Sequence, residues 1–360
     1  MRIPVTGIGV IAPDAIGIDA FRTLLASGNT AIREVDRFDT NGLRAKKAAL
    51  VRDFKPKDFI NPMKIRRMNM LSRLAVAAAK LAIDDCGATL DAETGVAMGT
   101  SFGPVQTSVD YMQEYVEKGA ALAPPQLFAE SVANAPGSHV AIEWGLRGFN
   151  VTITQRESSA LAAAMYASTQ IVKGNVRAAL IGGVEEVNEM IFSVLDRIGA
   201  LSSDVAKPFD GDGFSIGEGS AVFVANTGTR KPYGSFAGFG IGRDTTASIS
   251  DWGSDHEAVA RAMRAAIDDA ELEVGDIDAI YASANGSVKA DALERRAIES
   301  VFGSRAPRIV TTKNIFGEYA GGGALQIAAA LVALDEGQAK NILVDSLSAG
   351  GGIVCAVLTA

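Results

Sequence analysis

Short apolar runs rich in β-branched residues alternate along this chain with longer stretches in which apolar positions recur every three to four residues. Runs at 3–10, 94–98, 151–154, 178–181 and 220–225 have the pattern of buried strands, and 19–27, 72–86 and 159–172 that of intervening helices. Beyond residue 230 the theme repeats. Strands are predicted at 233–242, 279–283, 308–311, 341–347 and 353–358, and helices at 255–270, 291–302 and 322–334. Such alternation predicts an α/β fold in two similar halves, 1–230 and 231–360. The polar, Gly- and Pro-marked segment "NTGTRKPYG" reads as their connection.

Composition narrows the class. With 360 residues, 48% of them apolar, the chain can bury a large core. A net charge of -8 argues against a nucleic-acid partner, because phosphate binding draws on clustered Lys and Arg. No apolar run reaches the roughly 18 to 20 residues that span a bilayer, and the opening "MRIPVTGIGV" enters a strand directly, so a cytoplasmic, membrane-free protein is expected. Cys86 and Cys355 write no disulfide framework and read as small buried hydrophobes.

Histidine is scarcer than chemistry would want. His139 lies in the helical stretch "GSHVAIEWGL", and His256 opens the amphipathic "DHEAVARAMRAAIDDA". Neither adjoins a Gly-rich turn or a titratable cluster, so both read as structural or surface residues, and a mechanism built on imidazole has almost nothing to use. Two lookalike motifs are set aside. "GIGVIA", residues 7–12, fits the start of a dinucleotide fingerprint, but Pro13 and Asp14 stand where the phosphate-binding helix should run. "DGDGFSIGE", residues 210–218, puts Phe214 at a calcium-ligand position and reads as a structural turn. No metal or cofactor is expected.

The segment "NVTITQRESSALAAAMYAS", residues 150–168, is different. A strand running into a tight polar turn and then an alanine-rich helix is how many enzymes display a nucleophile. The residue at this elbow is Glu157. A carboxylate is a weak nucleophile, and its acyl product would be an anhydride less stable than a thioester. A helix N-terminus carries about half a positive charge, so Glu157 is expected there as an anion. Arg156 is expected to pair with it or with an acid across a subunit interface. Simple capping of the helix is the alternative role for Glu157.

Five segments, in order, carry a family resemblance over essentially the whole length: "VTGIGVIAP", "KIRRMNMLSRLAVAAAKLAIDDCG", "KPFDGDGFSIGEGSAVFVA", "TTKNIFGEYAGGGALQIAAALVAL" and "DSLSAGGGIVCAVL". The chain resembles a β-ketoacyl-acyl-carrier-protein synthase of the condensing-enzyme, thiolase-like family. The resemblance implies a thiolase-like fold, its two α/β halves layered α-β-α-β-α. Where the family carries its Cys nucleophile, this sequence has Glu157; its two histidines fall on Asn285 and Glu318; its lysine is kept as Lys313. The gating Phe of the closing Gly-Phe-Gly-Gly turn falls on Ala349.

In the family's condensation a thiolate takes up an acyl chain and two imidazoles assist decarboxylation and stabilise the enolate. This combination of losses resembles the chain-length factor, the silent partner of a type II polyketide ketosynthase. The resemblance therefore implies a heterodimer with a catalytic ketosynthase, joined through "FNVTIT", and only indirect contact with the acyl carrier protein. It places the wall of the acyl tunnel on "VQTSVDYMQEYVEKG", where Val105, Ser108 and Met112 share one helix face, although the same spacing also suits an ordinary core stripe. Between Arg44 and Arg73, ten Lys or Arg face only Asp53 and Asp58, a local balance of +8. Within it Lys64, Arg66 and Arg67 are candidates for carrier docking, or simply a solvated surface. Two rival readings stay open: a malonyl-thioester decarboxylase or atypical synthase using Glu157 or Glu318 as base, and a homodimeric acyl-carrier-binding protein.

Overall fold

A computed structural model describes residues 2–360. The first half begins β1 (Ile3–Ala12), β2 (Ala15–Ile16), α1 (Ile18–Ser27), the short pair β3 (Arg33–Glu34) and β4 (Lys47–Ala48), α2 (Pro62–Ile65) and α3 (Met70–Cys86). It continues through β5 (Gly95–Gly99), α4 (Val105–Lys118), α5 (Pro125–Glu130), α6 (Ala135–Trp144), β6 (Asn150–Ile153), α7 (Ser159–Val172), β7 (Ala179–Glu185), α8 (Glu189–Arg197) and β8 (Gly219–Ala225). The second half runs β9 (Gly234–Arg243), α9 (His256–Asp269), β10 (Ala279–Tyr281), α10 (Val288–Phe302), β11 (Arg308–Val310) and α11 (Lys313–Phe316). It closes with α12 (Ala324–Asp335), β12 (Asn341–Ser348) and β13 (Gly352–Thr359).

The strands lie in the order β11-β10-β12-β13-β9-β1-β8-β7-β5-β6. In the first half β5 pairs parallel with β6 and β7, while β7–β8 and β8–β1 are antiparallel. The second half repeats this: β10 pairs parallel with β11 and β12, while β12–β13 and β13–β9 are antiparallel. Antiparallel pairing of β1 with β9, Ile3 opposite Phe236, joins the two.

Glycines set how closely the layers meet. A Cβ on Gly9 would collide with the Ala78 carbonyl of α3, and one on Gly240 with the Ala262 carbonyl of α9. Bare backbone at these points lets each helix lie directly on its strand. The glycines of "GIGVIA" thus seat a helix, and Asp14 turns the chain into β2.

Helices α7 and α12 are apolar almost all round because they are covered on both sides. Ala160, Ala164, Ala328 and Leu331 belong to a core that also takes Ile181 and Phe223 from the first sheet region and Val344 and Ala356 from the second. On the outer faces α3 and α6 cover the first region, and α9 and α10 the second. The α-β-α-β-α layering is the one expected.

Local differences have local causes. Helix α12 starts at Ala324, two residues later than predicted, because Gly321, Gly322 and Gly323 hold φ of 62°, 59° and 91° in a tight turn. His139 on α6 meets Glu130 at 2.8 Å, and His256 opens α9 after its cap Asp255. Both cysteines are buried; Cys86 Sγ donates to the Ile83 carbonyl at 3.2 Å. In the 210–218 turn Phe214 is buried, edge-on to Tyr319 with ring centroids 5.6 Å apart.

Candidate functional site

Strand β6 delivers the chain to Gln155 and Arg156, the latter at φ 49°, and a single 3-10 turn, Arg156–Ser158, leads into α7. Serines lock this elbow onto the closing turn. The Ser158 hydroxyl meets Ser348 Oγ at 2.7 Å and donates to the Ser346 carbonyl at 3.0 Å, and Ser348 Oγ donates to the Gln155 carbonyl at 2.9 Å. Glu157 is thereby turned inward and buried. Its Oε1 accepts from the Tyr319 hydroxyl at 2.6 Å and its Oε2 from the Ala349 backbone N–H at 3.2 Å.

The other predicted positions converge beside it. Lys313 Nζ donates to Glu318 Oε2 and to the Ser283 carbonyl, each at 2.7 Å. Asn285 Nδ2 donates to the same Glu318 oxygen at 2.6 Å, and the Tyr319 backbone N–H donates to Glu318 Oε1 at 3.0 Å. Lys313, Glu318 and Asn285 are all 3% exposed or less. A buried ion pair held by further hydrogen bonds is the arrangement that offsets the desolvation of its charges.

Electrostatics here depart from the sequence expectation for Glu157. Burial, reinforced by the charge of Glu318, pushes its carboxyl up to about 7, although Tyr319 and Lys313 oppose the shift. Desolvation outweighs what the turn offers an anion, so the group is poised between charged and neutral forms at neutral pH. The expected pairing with Arg156 is also absent: Arg156 is exposed and, among the described residues, forms no ion pair.

Tyr319 is the residue that sequence reasoning missed. Its backbone sits at φ 66°, its ring lies edge-on to Phe102 and Phe214 at 4.7 and 5.6 Å, and its hydroxyl reaches Glu157. Burial and the neighbouring Glu157 raise the phenol well above its ordinary value, so it acts as a donor. The signal available was its position next to Glu318. Behind this group Glu294 and Asp345 are buried together, both raised chiefly by desolvation, Asp345 to about 6. Cys355 lies opposite Asp345 on β13, its thiol pushed far up by burial and these acids. A thiol so perturbed is a poor nucleophile.

Among the tunnel candidates, Val105 packs against the apolar cluster that includes Tyr319. Val105 and Ser108 are half-buried and Met112 is 52% exposed, and α4 buries only Thr107. Ser108 Oγ donates to the carbonyls of Pro104 and Ser131 at 3.2 and 3.3 Å. Lys64 on α2 pairs with Glu143 at 2.7 Å, and exposed Arg66 and Arg67 line a cavity of about 280 Å³ with Arg73, Gln126 and Glu130. The +8 segment is less basic than its count, because Arg44, Lys47 and Arg52 also hold acidic partners, Asp212, Asp204 and Asp36.

The beta-ketoacyl synthase N-terminal domain model matches residues 1–229, and the corresponding C-terminal domain model matches 233–343. The chain belongs to the beta-ketoacyl synthase family. Among curated relatives, the tetracenomycin polyketide synthase ketoacyl synthase alpha subunit of Streptomyces glaucescens is 30% identical over 366 residues, covering 93% of this chain and 85% of the relative. The beta subunit from the same organism is 27% identical over 350 residues, covering 92% and 85%. Among solved structures, the ishigamide ketosynthase/chain length factor matches with a TM-score of 0.92 and 26% identity over 100% of this chain and 99% of that one. Identity alone does not separate alpha from beta subunits here, so the site residues must. No helix among the described residues is long and apolar enough to cross a membrane.

Proposed function

We propose that this synthase-family chain is a catalytically silent, chain-length-factor-like subunit, and that a catalytic ketosynthase partner makes the carbon–carbon bond in type II polyketide assembly. The observation that carries this reading is the closed network of Lys313, Glu318, Asn285, Tyr319 and Glu157. Condensation requires a thiolate for acyl transfer and neutral donors where enolate charge develops. Glu157 supplies no sulfur, and both of its oxygens are engaged. Glu318 sets a carboxylate, already tied to Lys313, where an oxyanion would need stabilising. Asn285 donates a hydrogen bond but carries no transferable proton at neutral pH.

Assembly follows from the other end of the fold. Among the described residues β6 is the last strand of the sheet and pairs only with β5, which leaves its outer edge to meet its counterpart across a two-fold axis. Arg156 faces that interface. Val105, Ser108 and Met112 line the tunnel for the partner's acyl chain, a role favoured over core packing for Ser108 and Met112 because α4 buries only Thr107, whereas Val105 also packs against the Phe214–Tyr319 cluster. Arg66 and Arg67, with Lys64, assist a carrier protein that docks mainly on the partner. Matching strand order in the two halves supports units of 1–230 and 231–360. Two free cysteines are in keeping with a reducing cytoplasm.

One observation favours a second reading, a malonyl-thioester decarboxylase: a carboxyl near 7 is suited to proton transfer. Co-expression with a ketosynthase encoded beside it, followed by affinity capture, separates the possibilities. A one-to-one heterodimer whose extension products need both chains supports the silent subunit. Conversion of malonyl- to acetyl-carrier protein by this chain alone would replace it with the decarboxylase. A homodimer that holds carrier protein and ignores the ketosynthase would leave an acyl-carrier-binding protein.

A further inference from the structure

Helix α4 is held only lightly by its own packing. Of its residues only Thr107 is buried, and its aromatic contact, Tyr111 with Phe128 at 5.5 Å, reaches a ring that is itself 58% exposed. A helix with so few buried contacts opens readily unless its ends are fixed. The root of α4 is the 100–104 turn that follows β5, and one carboxyl organises it. Glu185, the last residue of β7, is fully buried. Its Oε2 accepts from the backbone N–H of Ser101 at 2.5 Å and of Phe102 at 3.2 Å, and the Thr100 hydroxyl lies 3.3 Å from each of its oxygens. Thr100 Oγ1 in turn accepts from the Gly103 N–H at 3.1 Å, and Gly103 takes φ 71°. Two further bonds tie the turn to the elbow: Ser101 Oγ donates to the Arg156 carbonyl at 2.8 Å, and Ser159 Oγ to the Thr100 carbonyl at 3.1 Å.

We infer that Glu185 is a positioning residue for α4: it clamps the 100–103 turn so that Val105, Ser108 and Met112 keep one orientation, and thereby sets the length of acyl chain that the tunnel accepts. The effect on chain length rests on the silent-subunit reading; the seating of α4 does not. Two successive N–H groups aimed at one oxygen fix both peptide planes, and both would lose their partner if the carboxyl were removed. The same turn carries Phe102, whose ring lies 4.7 Å from that of Tyr319, so Glu185 fixes the segment that bridges the central network and α4. Burial pushes the Glu185 carboxyl up to about 8, against the pull of the Ser101 and Phe102 N–H groups, and at neutral pH it is mostly the uncharged acid. Glutamine has the same shape and no charge. Its amide oxygen can accept from both N–H groups while its N–H faces Thr100 Oγ1, whereas alanine offers neither.

The test has two arms. In the first, amide hydrogen exchange is followed by mass spectrometry on the full chain in whatever assembly it purifies. Glu185→Ala should speed exchange across 105–118 about tenfold or more while leaving 159–172 unchanged, and Glu185→Gln should stay within about twofold of the parent. Thr100→Val, which removes only the hydroxyl, should act in the same direction by about threefold and keeps the test open if Glu185→Ala fails to fold. In the second arm, each variant is assembled with the ketosynthase and the products are weighed. Glu185→Ala, or Thr100→Val in its place, should cut the main product's share by about half as neighbouring lengths appear, and Glu185→Gln should restore it. Exchange that rises equally in α4 and α7, or not at all, would overturn the seating of α4. A lower yield with an unchanged spread of lengths would overturn the effect on the tunnel. A parent assembly that makes no partner-dependent product would refute the silent-subunit reading instead, while the exchange pattern still decides whether Glu185 seats α4.

Discussion

Lys313 and Met112 mark two regions that the family resemblance treats as parts of one machine. Lys313 is 3% exposed, and around it Glu318, Asn285, Tyr319 and Glu157 direct their polar atoms at one another. Met112 is 52% exposed on a helix that also shows Tyr115 and Val116 to solvent, with Phe128 of α5 nearby against Tyr111. The first region has kept the backbone of a catalytic elbow while its side chains satisfy one another. The second leaves apolar groups uncovered, as proteins do where another surface is to meet them. The first region is internally satisfied, and the second leaves an apolar face uncovered.

If the centre is structural, its ion pair should matter most. Lys313→Met leaves Glu318 buried without its partner and should cost roughly 3–5 kcal/mol in urea denaturation. Adding Glu318→Gln should recover much of that loss. Glu157 comes next, through pH. Its carboxyl lies near 7 in the fold against 4.5 otherwise, so the folded state keeps a proton that the unfolded chain releases in that window. The contribution is complete below about 4.5 and is lost as pH rises toward 7, on the order of 3 kcal/mol in all. Glu157→Gln should remove this slope from the difference between variant and parent stability curves. Tyr319→Phe takes away one donor to a buried carboxyl and should cost about 1–3 kcal/mol, with no change in the family chemistry of the assembled complex.

The α4 face should respond in the opposite way. Ser108→Phe is expected to leave stability nearly unchanged, within about 1 kcal/mol, while shortening the product made with the partner; product mass decides it. A large loss of stability with unaltered product would make α4 part of the core after all. Smallest of all, Arg66→Glu with Arg67→Glu should weaken carrier docking only a few-fold, measured as a rise in apparent KM for the carrier, and added salt should narrow the gap.

Much of the fold was legible because periodicity and burial agree. Helix α7 begins and ends where the alanine-rich pattern places it, and the repeated strand pattern corresponds to repeated strand order. Helix α8 was missed because its nine residues, Glu189–Arg197, show the helical period over only two to three turns. At the site, alignment of motifs brought Glu157, Asn285, Lys313 and Glu318 to one place. Local reasoning about Glu157 failed because a helix-start argument sees the nearby dipole but not the burial or the anion across the pocket. Tyr319 escaped notice because its role depends on a left-handed backbone and two aromatic neighbours distant in sequence, Phe102 and Phe214.

The most direct test is intact-protein mass spectrometry of the purified chain, without any partner, after incubation with acetyl- and malonyl-carrier protein. The mass of the chain should stay unchanged and the malonyl-carrier protein should remain intact, while a ketosynthase added to the same mixture becomes acylated. An acyl adduct on this chain, or acetyl-carrier protein formed by it alone, would contradict the account.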